Sequence, residues 1–237
     1  MRYFAIVKYD GSKFYGFQRQ NDKRSVQNEL EKSLSDIFGE NILIKGAGRT
    51  DRGVHAKGQC FHFDTDTQIS LNDIKKYINN KYSDLKIKSI KIVDDSIHSR
   101  FSVKSKHYSY KISFNKKDYD NEYVCFSKKL DIKKMQKASK LFLGVHNFQN
   151  FVSGTRDNYE CIIYKIKFHH FGNKLKIDFY GKSFYRYMVR NLVGALMDVG
   201  KGKANNSTII RLLESEKTDK TLSTAPAKGL TLEKINY

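Results

Sequence analysis

"ILIKGAGRTDRGVHAKGQCFHFDT", residues 42–65, holds two apolar runs on either side of a loop with glycines at 46, 48 and 53, arginines at 49 and 52, and Asp51 between them. "ILIK" leads in, and "GQCFHFDT" leaves with Cys60 and His62 on one face and Phe61 and Phe63 on the other, so the loop joins two strands. Upstream, "RYFAIVKY" (2–9) reads as a strand and "DGSKFYGFQRQ" (10–20) as a long basic, aromatic loop. In "SVQNELEKSLSDIFG" (25–39), Val26, Leu30, Leu34, Ile37 and Phe38 recur at helical spacing, with Ser25 as cap and Gly39 as stop. Downstream, Ser70 caps a helix striped by Leu71, Ile74, Tyr77 and Ile78, and "LKIKSIKIV" (85–93) follows as a strand. The order is β-α-β-β-α-β, a split βαβ, ferredoxin-like unit.

The second half runs through a similar order with longer insertions. "HYSYKISF" (107–114) opens it as a strand, and a helix from Asp131 carries Ile132, Met135, Ala138, Leu141 and Phe142. "CIIYKIKFHH" and "KLKIDFYG" form a hairpin around Gly172 and Asn173. A helix over "SFYRYMVRNLVGALMDVG" (183–200), a short one over "STIIRLLES" (207–215) and a strand "GLTLEKI" (229–235) complete the chain. The expected fold class is α+β, with two ferredoxin-like halves, 1–101 and 102–237. Their sheets are expected to join edge to edge into one continuous mixed sheet, with helices on one side and a cleft between the halves.

Composition narrows the partner. Lys and Arg number 44 against 25 Asp and Glu, a net charge of +19, and 16 Phe with 15 Tyr supply a core. Such an excess serves a polyanion through phosphate contacts and counterion release. No basic segment carries a long apolar face, and "MRYFAIVKYD" lacks a signal-peptide core, so nucleic acid is favoured over membrane and the expected location is cytoplasmic. A lysine-rich genome bias would also produce solvated lysines. Arginine is the better witness: of ten, Arg49, Arg52, Arg100, Arg186 and Arg190 fall in Gly-rich or aromatic stretches suited to bidentate recognition. Cys60, Cys125 and Cys161 form no CxxC pair, and no histidines have ligand spacing, so neither disulfide nor metal is expected.

"GAGRTDRG" has no GK[ST] ending and is followed by a strand, which argues against a nucleotide-phosphate loop. As a plain turn, Asp51 would cap local N–H groups. In a basic groove, a carboxylate held ionised by neighbouring guanidiniums is suited to nucleophilic attack.

"YDGSKFYGFQRQ" with "RSVQNELEKSL", "GAGRTDRGVHAKGQ", "SRFSVKSKHYSY" and "YRYMVRNLVGALMDVG" together resemble the TruA family of tRNA pseudouridine synthases, over nearly the entire chain. The resemblance implies a cofactor-free homodimeric enzyme that isomerises uridines 38, 39 and 40 of the tRNA anticodon stem-loop. It assigns Asp51 as the catalytic aspartate and Arg190 as its partner. Tyr108 is assigned to pack on the target base, Arg49 to reach the target nucleotide and Leu230 to form an apolar wall. Ile97 to Phe101, with His98, Arg100 and Phe101, corresponds to a tRNA-contacting stretch, and Arg52 and Arg19 are counted as substrate-binding. The chain departs from the family at "VSGTRDNYEC" (152–161), where Arg156 is the remaining basic residue, and at Phe17, where an aromatic platform is expected without an indole.

Pseudouridine formation breaks N1–C1′, rotates the uracil and rebonds it through C5. Asp51 attacks C1′, adds to C6, or assists proton loss at the ribose; the residues leave these alternatives open. Tyr108 would hold the flipped base. The competing class is a non-catalytic RNA-binding or chaperone protein in which Asp51 is a loop cap. A gel shift without change to the nucleosides would mark it. A nucleotide-binding enzyme is a third class.

Overall fold

The computed structural model describes residues 1–215, 219 and 222–237. Their architecture is mixed α/β, with ten strands and five α-helices among the described residues. They cluster into two compact units, Met1–Lys104 with Thr231–Tyr237, and Ser105–Leu230.

In the first unit, β1 (Arg2–Tyr9) lies between β3 (His55–Asp64) and β4 (Leu85–Val93), antiparallel to both. Alternation along β1 sends Tyr3, Ala5, Val7 and Tyr9 to one face, where Tyr3 stacks on Phe63 of β3 at 4.9 Å between ring centroids. Helices α1 (Val26–Phe38) and α2 (Leu71–Lys81) bury Leu30, Leu34, Ile74 and Ile78 completely. Each such side chain contributes about 1.5–3 kcal/mol on leaving water. Ser25 accepts from the Asn28 N–H at 3.3 Å and Gly39 ends α1 in the left-handed region, as its sequence expects. Ser70 differs, since its side chain makes no cap bond.

The strand expected over "ILIK" shrinks to β2 (Lys45–Gly46), paired with β3. Ile42 and Ile44 are buried, yet their N–H groups go to Ser35 Oγ (2.9 Å) and Glu31 Oε1 (3.1 Å) on α1 instead of to a strand. Side-chain acceptors have replaced the ladder.

In the second unit β9 (Lys174–Gly181) lies between β5 (Ser105–Ser113) and β8 (Glu160–Phe171), antiparallel to both. The order β5-β9-β8 repeats β1-β3-β2 of the first unit. Two short strands without a periodic signal join it, β6 (Cys125–Phe126) on β5 and β7 (Gly144–Asn147) on β8. Helix α3 (Ile132–Ser139) packs on α4 (Met188–Gly200), and α5 (Asn206–Glu214) follows with Asn205 in a capping box.

Helix α4 starts five residues later than the apolar pattern suggests. Tyr187 caps it at φ +64°, a left-handed conformation that no helix interior accommodates, so "SFYRY" stays outside. The terminal strand β10 (Leu230–Asn236), expected to close the second half, pairs in parallel with β3, Thr231 opposite His55, and its residues from Thr231 onward group with the first unit.

Candidate active site

Loop 46–56 is fixed at several points. The Ala47 N–H donates to the Cys60 carbonyl at 2.8 Å, Gln59 Nε2 donates to the Gly48 carbonyl at 3.0 Å, and the Val54 N–H closes back on the Asp51 carbonyl at 3.1 Å. The hydroxyls of Thr50 and Tyr9 bond at 2.8 Å in the core. Burial raises the Tyr9 phenol, offset in part by bonds to Thr50 and Gln59. The following strand begins at His55, whose Nδ1 accepts the Gly11 N–H at 3.1 Å and lies 3.3 Å from Asp10.

The preceding loop docks against this one. The Phe17 N–H donates to the Thr50 carbonyl at 3.1 Å, and Gly16 sits at φ +96° with a notional Cβ only 2.8 Å from that same oxygen. A side chain there would be strained twice, by conformation and by the carbonyl. Phe17 is no exposed platform: it is buried, and its ring fills the space a Cβ on Gly46 would take, at 2.4 Å. Gly46 therefore serves an aromatic packed inside the protein, and Gly53 serves a turn at φ +80°.

The outcome is a half-buried Asp51 between exposed Arg49 and Arg52. The Arg52 guanidinium lies 4.3 Å from the centroid of the Tyr15 ring, a cation–π contact of about 0.5–1 kcal/mol at an exposed site. Tyr15 is a functional candidate that the sequence reading missed, although the aromatic content of 10–20 was its signal.

Arg19 is engaged by Glu31 on α1, Nη1 to Oε2 at 3.1 Å. Of the stretch 97–101, Phe101 is 77% exposed and Arg100 exposed, while His98 holds the turn from inside. Its Nδ1 accepts the N–H groups of Arg100 (3.0 Å) and Phe101 (3.3 Å), and its ring lies 4.3 Å from that of Phe101 and 4.6 Å from that of His62. Burial, then the charges of Lys45, Arg2 and Arg100, lower the His98 imidazole, which suits its acceptor role.

In the second unit Tyr108 lies buried on β5, edge-on to Phe184 at 5.3 Å. Arg190 is half-buried in the first turn of α4. Its Nε donates to the Ala225 carbonyl and its guanidinium covers the Tyr187 ring at 4.5 Å. Leu230 is buried at the start of β10. Arg156 covers the Tyr185 ring at 4.0 Å, and its Nε has no hydrogen-bond partner among the described residues. No group of three or more His, Cys, Asp or Glu is placed to hold a metal ion, and no helix is long and apolar enough to cross a membrane, among the described residues.

An α+β chain that presents a carboxylate on a glycine–arginine loop, and carries a clamped arginine in a helix, defines the class in outline. The family model described as tRNA pseudouridine synthase matches residues 5–102 and 138–237. Proteins named tRNA pseudouridine synthase A are similar along almost the whole length. That of Thermodesulfovibrio yellowstonii is 38% identical over 98% of this chain and 97% of its own. That of Dictyoglomus thermophilum is 40% identical over 98% and 97%, and that of Brevibacillus brevis is 36% identical over 98% of each. A solved Cbf5-Nop10-Gar1 complex aligns with a TM-score of 0.38 at 10% identity, covering 83% of this chain and 54% of that one. The chain belongs to the tRNA pseudouridine synthase family, isomerases that act on tRNA.

Proposed function

We propose that this enzyme isomerises uridines at positions 38, 39 and 40 of the tRNA anticodon stem-loop, acting as a homodimer with Asp51 as its nucleophile. The observation that carries the reading is the setting of Asp51, half-buried in a basic loop tied to Cys60, Gln59, Tyr9 and Phe17. A carboxylate held in place beforehand spends little reorganisation on meeting its substrate.

The reaction cleaves N1–C1′, turns the uracil and joins C1′ to C5, which then gives up its proton. Attack by Asp51 at C1′, its addition to C6, and its assistance in proton loss from the ribose all begin from an ionised carboxylate. In this reading Arg190 is the cation that serves that carboxylate. Tyr108 and Leu230 hold the flipped base, and Arg49 reaches the target nucleotide. Arg52, Arg19, His98, Arg100 and Phe101 bind the surrounding RNA. The net charge of +19 supports a phosphate-rich substrate.

The test uses tRNA tritiated at C5 of uridine. Wild-type protein releases label to water with no added cofactor, and nucleoside mapping finds the product at 38–40. Asp51→Asn keeps the size and the turn, binds tRNA about as well, and releases essentially nothing. Turnover by Asp51→Asn at the wild-type rate would make the carboxylate a loop cap.

A further inference from the structure

The sheet of the second unit has one face buried through Tyr108, Tyr110, Ile112, Leu175, Ile177 and Phe179. Strand register lays out the opposite face as three rows across β8, β9 and β5: Lys165, Tyr180 and His107; Lys167, Asp178 and Ser109; His169, Lys176 and Lys111. Four of these nine positions are lysine, two are histidine, and Asp178 is the one carboxylate in the grid.

Asp178 is buried in the middle row, where His107 Nε2 (2.8 Å), His169 Nε2 (3.1 Å) and Lys176 Nζ (2.9 Å) converge on it. Burial pushes its carboxyl upward, but the bonds from His107 and Lys176 outweigh that and hold it below the usual range. The Tyr180 ring stacks on His107 at 4.2 Å. These contacts make the centre of the face rigid.

The β8 side of the grid is different. Lys165 and Lys167 are exposed neighbours on one strand face, and neither makes an ion pair among the described residues. The charge of Lys167, then its hydrogen bond, lowers the Lys165 ammonium, while the Asp178 carboxylate across from Lys167 is engaged by His107, His169 and Lys176. A further pair, Phe171 and Lys174, continues the face, with Phe171 75% exposed. A second copy of the same surface would set lysine against lysine. Ammonium groups on the sheet beside the exposed Phe171 instead complement a chain of phosphates carrying bases.

We propose that this face binds the phosphodiester backbone of RNA, as a contact surface on the opposite side of the sheet from Tyr108. It rests on tRNA being the substrate, and it adds affinity without touching the reacting uridine.

The experiment compares Lys165→Glu/Lys167→Glu with a control, Lys133→Glu/Lys137→Glu, which reverses two exposed charges on α3. Binding of full-length tRNA is measured across a salt series, with tritium release at saturating tRNA alongside. The β8 variant should weaken binding by about 10-fold or more and flatten the log–log salt slope by about one to two units, at unchanged kcat. The control should shift far less. Equal loss in the control would reduce the effect to net charge and overturn the proposal, as would unchanged tRNA affinity in the β8 variant. Loss of binding to phosphatidylserine vesicles with tRNA affinity intact would assign the face to lipid instead. Matching melting temperatures certify that the variants fold. Failure of the wild type to release tritium would sink the proposed uridine chemistry, whereas the binding series would still read the surface.

Discussion

Arg190 and Ala225 are tied by two hydrogen bonds running in opposite directions: Nε of Arg190 donates to the Ala225 carbonyl at 2.9 Å, and the Ala225 N–H donates to the Arg190 carbonyl at 3.0 Å. With the Tyr187 ring under its guanidinium, the side chain is oriented before substrate binds. Arg190→Lys keeps the charge but loses the Nε bond and the planar group that covers the ring. We expect kcat to fall by about 100-fold in the tritium assay and stability by about 1–2 kcal/mol on thermal melting. A stability loss without a kcat loss would confine Arg190 to holding residues 222–226.

The Thr50 hydroxyl hangs on Tyr9 in the core, 41 residues away in the chain. Tyr9→Phe removes the phenol and leaves a buried hydroxyl short of its partner, a cost of about 1–3 kcal/mol. Because Thr50 precedes Asp51, activity should fall further than the melting temperature explains. The check is kcat measured well below the variant's melting temperature; a wild-type kcat there would show that the loop keeps its shape without this bond.

Acid should weaken the first unit through His62. Burial first, then the charges of His98 and Arg2, push its imidazole down to about 4 from the usual 6.5. Its Nδ1 accepts the Ser99 N–H at 3.1 Å, and its Nε2 has no partner among the described residues. Between pH 6.5 and about 4 the unfolded chain binds the extra proton, so this stabilisation is complete above 6.5 and is lost as pH falls through that window. His98 is shifted the same way. The melting temperature should drop from pH 7 to pH 4.5, and His62→Gln, which retains an acceptor, should drop less steeply. Parallel curves for the two proteins would remove His62 as the cause.

What was legible in the sequence was local. Helix α1 announces itself because its stripe, Ser25 cap and Gly39 stop all lie within one short segment. The Asp51 loop is visible because glycine, arginine and aspartate crowd one turn between strands. The start of α4 is not, since its apolar pattern runs on through Tyr187 and only the backbone's left-handed turn there ends it. Arg19 is counted as substrate-binding from the sequence, and its ion-pair partner Glu31, buried on α1, leaves no sign there. Partners far apart in the chain, such as Arg190 with Ala225, leave no periodic trace. Strand β7, "GVHN", has no apolar alternation and exists through its register with β8.

Tyr108 offers either a ring to stack on the base or a hydroxyl to relay a proton. The residue is 8% exposed and its ring meets Phe184 edge-on, so the side chain is packed on one side whatever it offers to a base. Tyr108→Phe keeps the ring, its packing and its π-face, and should bind tRNA as the wild type does. Tyr108→Ala opens a cavity and costs about 3–5 kcal/mol of stability, an effect that must be separated from chemistry. Single-turnover tritium release at a temperature where both variants are folded makes that separation. If the hydroxyl relays a proton, the Phe variant loses about 100-fold or more in rate at unchanged affinity. If only the ring acts, the Phe variant is active and the Ala variant loses stacking of about 1–3 kcal/mol in tRNA binding. An Ala variant that melts early yet binds and turns over normally when folded would leave Tyr108 a core residue and return the base-holding role to another side chain.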